Sequence, residues 1–307
     1  MNQAKSAGPR DPGERNPTLD ALHGMALLFF MLVDLPVYVS SFFAGLYPPL
    51  NPHPAGTDLA AARLVAGLAF MKGMLLFAFL FGTSLAIIEE RAGNDFARLY
   101  SRRMNGIWAF GLLMAAFIWY GPQLAMLALT GTLAAALRGR SPERLTRDAL
   151  LLYTAGLAVA AALVLTSQSH PGLSGPGGTL ASYFARVRAW EDAAYSAGSW
   201  WGVARVRWEM FIGVFALHLG VNGLRVLGAA LLGMAAFRAG VFNDVERWRP
   251  ALRRTAVWGF AAGAPLHAVA LYLDEGRSLR PLPAFVGGGS LYVGTAFWTA
   301  SYGAALT

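Results

Sequence analysis

The run from Met71 to Ile88 (MKGMLLFAFLFGTSLAII) carries a single charged side chain, Lys72, near its start. Eighteen residues of helix cover about 27 Å, close to the roughly 30 Å hydrocarbon core of a bilayer. A chain with several such runs must satisfy its backbone polar groups inside lipid, and an α-helix does so within each segment. Composition points the same way. Of 307 residues, 56% are hydrophobic and 14% are charged, whereas a soluble domain carries about 25% charged residues. That balance excludes an ordinary water-soluble enzyme, and equally a disordered chain, which requires low hydrophobicity. The expectation is an all-α, polytopic transmembrane bundle.

Apolar runs between charged or Pro/Gly-rich breaks predict about eight spans, near 20–44, 61–88, 104–120, 122–138, 149–167, 209–237, 255–273 and 284–306. Tyr120-Gly121-Pro122 is short enough to force an antiparallel hairpin between the third and fourth. Pro36 and Pro265 predict kinks, and Gly287-Gly288-Gly289 a flexible entry to the last helix. Residues 1–18 are polar and rich in Pro and Gly, which predicts a disordered cytoplasmic lead. Residues 19–307 then form a single membrane domain. Lys and Arg are concentrated in one alternating set of loops, which places the N-terminus, and with eight spans the C-terminus, in the cytoplasm of a multi-pass inner (plasma) membrane protein. The longest external segment, about 168–208, begins as a Gly/Pro/Ser loop. It continues as LASYFARVRAWEDAAY, whose alternation of apolar and charged residues predicts an amphipathic helix at the outer surface.

The net charge of +8 is explained by those loops, so membrane lipids rather than nucleic acid are the expected partners, with a membrane protein or a second copy also open. There is no cysteine, and no phosphate-cradling loop, HExxH or GxSxG. No metal site is expected.

Ionisable groups inside spans carry the chemistry, because each is costly at mid-bilayer, about 2.5–3.5 kcal/mol on insertion scales. Counting along the helices brings Asp34 and Lys72 to similar depth, which predicts a buried pair. His23 shares a face with Asp34 but sits about 16 Å away along the helix. His218, Asn222 and Arg225 fall at i, i+4 and i+7, a polar stripe that must face the interior or water. His267, just after Pro265, reaches a comparable depth. The expectation is one polar cavity in the outer half, with Asp34, His218 and His267 as acid–base groups and His23, Lys72, Asn222 and Arg225 as substrate-binding groups.

Several segments resemble a known family. LDALHGMALLFFMLVD (19–34) resembles the opening LDALRG-type helix of the YeiB-like bacterial membrane proteins, and MKGMLLFAFLFGTSLAIIEERA (71–92) their second helix, lysine included. WYGPQLAMLALTG (119–131) and LGAALLGMAAFRAGVF (227–242) are similar to a later hairpin and to the sixth helix. The resemblance covers about 20–307 and implies a multi-helix inner-membrane fold. Through a more distant kinship with membrane acyltransferases, it also implies that acyl transfer is open. His23 stands where the family has arginine, Asp34 where relatives have a catalytic histidine, and Met114 and Pro122 where the hairpin carries a His/Asp pair. The family continues beyond the point where TASYGAALT closes this chain, which reads either as a shortened member or as one whose remaining helices come from elsewhere.

Three functions follow as expectations. A transporter would use the cavity as a midplane site or proton relay for a small or lipid-linked substrate. An acyltransferase would use His218 or His267 as general base, with acyl-coenzyme A as its one cofactor, its phosphates meeting Arg98, Arg102, Arg103, Arg138 and Arg140. A degenerate relative would bind a partner without catalysis.

Overall fold

A computed structural model of the protein describes residues 16–39, 56–169, 179–273 and 281–307. Among them ten α-helices follow one another: α1 (Pro17–Val39), α2 (Gly56–Leu68), α3 (Lys72–Ala92), α4 (Phe96–Phe117), α5 (Gln123–Ala136), α6 (Pro142–Ser169), α7 (Thr179–Ser196), α8 (Trp200–Arg238), α9 (Val245–Tyr272) and α10 (Pro281–Leu306). A 3-10 turn, Gly93–Asp95, links α3 to α4. The sequence-predicted lead at 1–15, the loop at 170–178 and the end of the first span at 40–44 lie outside the described residues.

The centre is built on α3 and α8. α8 packs against α3 and α6 and reaches α4 and α5, while α3 also receives α1 and α10. Glycine permits the closest approach. A side chain at Gly82 would strike the backbone of Ala230, and one at Gly233 would strike the carbonyl of Phe79. Lipid supplies little drive to bring helices together, so contacts of this kind and hydrogen bonds do. Thr83 Oγ1 donates to the Phe79 carbonyl at 3.1 Å and lies 3.2 Å from that of Gly233 across the crossing. Around this seam Phe81, Leu85, Met104, Leu145, Leu231 and Met234 form the largest apolar core. At one end, Glu89 of α3 gathers Arg238 of α8 at 2.5 Å and Arg138 after α5 at 3.6 Å, and Arg140 and Arg147 hold Asp148 of α6.

The other structural unit is the α9–α10 pair. Here too glycines set the spacing: Gly259 lies against Ser301, Gly263 against Trp298 and Gly294 against His267. α10 carries this pair onto α3 and α6, whereas α9 meets chiefly α10 and, more lightly, α2. α10 therefore forms the seam between the central helices and the outer pair.

Four helical segments among the described residues are, by length and composition, able to cross a membrane: Pro17–Leu35, Arg63–Phe117, Pro142–Thr166 and Trp200–Arg238. The eight crossings expected from sequence are corrected by this finding. The runs at 61–88 and 104–120 merge into a single 55-residue stretch. The run at 122–138 is a helix of 14 residues, about 21 Å long and short of the hydrocarbon thickness. The run at 255–273 is the second part of α9, diluted by Trp258, Pro265 and His267, and that at 284–306 is diluted by Gly, Ser, Thr and Tyr. The cytoplasmic N-terminus, the C-terminus on the same side and the external interfacial position of the 168–208 region were drawn in that eight-span topology and are withdrawn with it. Residues 200–208 open α8, where Ser199 is the cap and its Oγ accepts from the amide of Gly202. The three glycines 287–289 lie within α10 rather than ahead of it. The Tyr120-Gly121-Pro122 hairpin forms between α4 and α5, with Gly121 against the Trp119 ring.

Candidate functional site

Two buried cationic groups sit where α10 meets the central helices. The first is Arg225, 5% exposed on α8. Its guanidinium donates through Nη2 to Asn222 Oδ1, one helical turn back. It lies 4.3 Å from the ring centroid of Tyr292 on α10, and beside the hydroxyl of Tyr153 on α6. The two tyrosines lock the seam reciprocally: Tyr153 donates its hydroxyl to the Tyr292 carbonyl at 2.5 Å, and Tyr292 donates to the Tyr153 carbonyl at 3.3 Å. Gly156 on α6 leaves the room that the Tyr292 hydroxyl occupies. Arg225 Nε is buried with no hydrogen-bond acceptor, and among the described residues no carboxylate pairs with Arg225.

The second group is Lys72, the first residue of α3 and fully buried. Met71 before it has φ 61°, left-handed backbone that turns the chain between α2 and α3. This turn aims the Lys72 ammonium back at the end of α2, where it donates to the carbonyls of Gly67 (2.6 Å) and Ala66 (3.3 Å). Those carbonyls are the unpaired, partially negative end of a helix. Lys72 Nζ also lies 5.4 Å from the Trp298 ring centroid. His267 of α9 stacks on the same indole, centroids 4.2 Å apart. His267 donates through Nδ1 to the Gly263 carbonyl at 2.9 Å, leaving Nε2 buried without a partner. Tyr292 and Trp298 are six residues apart on α10, about 9 Å along its axis.

The remaining sequence-predicted groups lie elsewhere. Asp34 does not meet Lys72: its carboxylate accepts from Gln123 Nε2 at 3.4 Å, at the start of α5. His218 is half-buried one turn before Asn222, its Nδ1 on the Val214 carbonyl at 3.1 Å. His23 is half-buried, bonded to the Leu19 carbonyl at 2.7 Å and edge-on to Phe77. The structure thus brings Asn222 and Arg225 together, and Lys72 with His267, and keeps Asp34 and His23 apart from both. Tyr153, Tyr292, Trp298 and Gln123 were missed by sequence reasoning. Their signal was a polar-tipped side chain within an apolar run, which needs a hydrogen-bond partner once buried.

Among the described residues no cluster of three or more His, Asp or Glu could hold a metal ion. Of the arginines expected to meet coenzyme A, Arg98 pairs with Asp95 at 3.2 Å, Arg138 with Glu89 and Arg140 with Asp148. Arg103 lies over the Phe81 ring.

These apolar segments and buried polar groups define an α-helical membrane-associated protein. Its sequence is distantly homologous to the uncharacterized protein YxaH of Bacillus subtilis (strain 168), 33% identical over 162 residues, which are 48% of this chain and 39% of the relative. It is also homologous to the uncharacterized protein YeiB of Escherichia coli (strain K12), 27% identical over 280 residues, 85% of this chain and 65% of the relative. The chain spans less than two thirds of the length of either relative. No protein-family profile matches it, and no solved structure does. Nothing in these matches joins the chain to the membrane acyltransferases.

Proposed function

We propose that the chain is a multi-pass plasma-membrane protein that binds a small or lipid-linked anionic substrate at Arg225 and transports it along the seam between α10 and the central helices. One observation carries this reading: a buried guanidinium that no carboxylate among the described residues neutralises. Taking an ion out of water costs several kcal/mol even after relaxation, and a protein retains such a charge at a loss unless something offsets it. Asn222 and the Tyr292 face offset it in part. A substrate carboxylate or phosphate would complete the balance, since guanidinium binds either in a fork of parallel hydrogen bonds. Tyr153 and Tyr292 close the site, and their two hydrogen bonds join α6 to α10. Movement of the α9–α10 pair, with Pro265 inside α9, would open it.

The test is uptake of labelled carboxylate and phosphate solutes into proteoliposomes, with and without a pH gradient. Accumulation of one class that is lost in Arg225→Gln and slowed in Tyr153→Phe is the expected result. Solute flux indifferent to Arg225→Gln would overturn the reading.

His267 favours acyl transfer as a second reading, because its Nε2 is free to accept a proton. His267 would take the proton of an acceptor hydroxyl as the oxygen attacks a thioester carbonyl, and the departing thiolate would receive it. Incubation with labelled acyl-coenzyme A should then give an acylated acceptor that His267→Ala abolishes. Absence of any acylated product removes this reading.

A further inference from the structure

The exposed face of α9 changes chemistry once along its length. Arg249, Pro250, Arg253, Arg254, Val257 and Trp258 form an open, shallow patch on the surface of this one helix. They form two adjacent rows at four-residue spacing, 249/253/257 and 250/254/258, on one side of the helix. Arg249 is partly neutralised by Glu246 at 3.3 Å. Arg253 and Arg254 are exposed, and among the described residues neither forms an ion pair. Past Thr255, the exposed residues from Val257 onward are all apolar or aromatic: Val257, Trp258, Ala261, Ala264, Pro265, Ala268, Val269 and Tyr272, with Trp258 71% and Tyr272 88% exposed.

From this order of side chains we infer that the exposed face of α9 is a binding site for an anionic phospholipid, its phosphate held by Arg253 and Arg254 and its acyl chain laid along the apolar face from Val257 onward. Arg249 to Arg254 spans about 7.5 Å of helix axis and Val257 to Tyr272 about 22 Å. A bilayer's headgroup zone is about 5–7 Å deep on each side, and half its hydrocarbon core is about 15 Å. The charged stretch therefore matches the headgroup zone in depth, and the apolar stretch is long enough to run beside the whole of an acyl chain. A free phosphate would use only the first. Trp258 sits at the change from charged to apolar, where indole rings favour the membrane–water boundary.

The experiment is native mass spectrometry of the full chain titrated with phosphatidylglycerol, with phosphatidylcholine and inorganic phosphate as separate arms. Phosphatidylglycerol is expected to bind first and most tightly. R253Q/R254Q should weaken it by about fivefold per arginine, the equivalent of roughly 1 kcal/mol each near an anionic surface. W258S should weaken it as well, while R253K/R254K retains most of the binding. The charge-matched variant R98Q/R102Q should leave it within about twofold. Equal binding of phosphatidylcholine, or displacement of lipid by inorganic phosphate at equal concentration, would overturn the inference. So would a loss in R98Q/R102Q as large as in R253Q/R254Q. Each variant is accepted only as a monodisperse species, and the lysine variant reports on the site if the glutamine variant does not fold.

Discussion

Arg225 stands in tension between stability and use. Nothing among the described residues neutralises it, so replacing it by an apolar side chain of similar length should remove an energetic burden. Substituting buried ionic groups by hydrophobic ones is often neutral or stabilising by about 1–4 kcal/mol. Arg225→Met is thus expected to melt at or above the wild-type temperature in detergent while losing anion uptake. A large fall in melting temperature would mean that the guanidinium is structural. Tyr153→Phe gives the opposite signature. It deletes the hydrogen bond to the Tyr292 carbonyl, costing about 1 kcal/mol and lowering the melting temperature by roughly 2–4 °C. The spacing of His218, Asn222 and Arg225 put three polar groups on one face, and Asn222 and Arg225 are buried there. The true partners of Asp34 and Lys72 were not legible, and the pair expected between them does not form. Counting residues gives depth along a helix but not azimuth around the bundle, and Gln123 and the α2 carbonyls lay closer in the folded chain.

At the level of helices, the α3–α8 crossing depends on hydrogen in place of a side chain. Gly233→Ala would drive a methyl group into the Phe79 carbonyl, and Gly82→Ala into that of Ala230. Backbone cannot rotate away, so each should cost at least the roughly 1–3 kcal/mol of an overpacked core, read as a lower melting temperature. Gly220 on the same helix faces open space. Gly220→Ala should be neutral or gain up to about 1 kcal/mol from helix propensity. Equal effects of the two α8 substitutions would show that the helices do not approach as described. Helix type was legible throughout, because long apolar runs leave little choice. The number of crossings was not. Hydropathy marks a run as apolar, but the 14-residue α5 and the diluted α9 show that apolar is not the same as long and apolar enough.

For the molecule as a whole, Glu89 joins α3 to α8 and to the segment after α5 through Arg238 and Arg138. Glu89→Gln keeps the shape and removes the charge. A hydrogen bond between charged groups contributes about 1.5–3 kcal/mol, so a fall of several degrees in melting temperature is expected. The loss should be smaller in high salt, which already screens the wild-type pair. An unchanged melting temperature would show that the contact is merely adjacent.

Lys72 and Met71 have a further consequence at this scale. α2 and α3 are separated only by residues 69–71, where one left-handed residue makes the corner and one ammonium holds it. A left-handed conformation costs a side-chain-bearing residue about 1–2 kcal/mol, so the corner resembles a bent rod kept bent by its own clasp. Without the Lys72 charge, the two pieces would have reason to fuse into one continuous rod of about 55 Å, longer than the hydrocarbon layer is thick. A spin-label distance across residues 56 and 92 would lengthen in Lys72→Met.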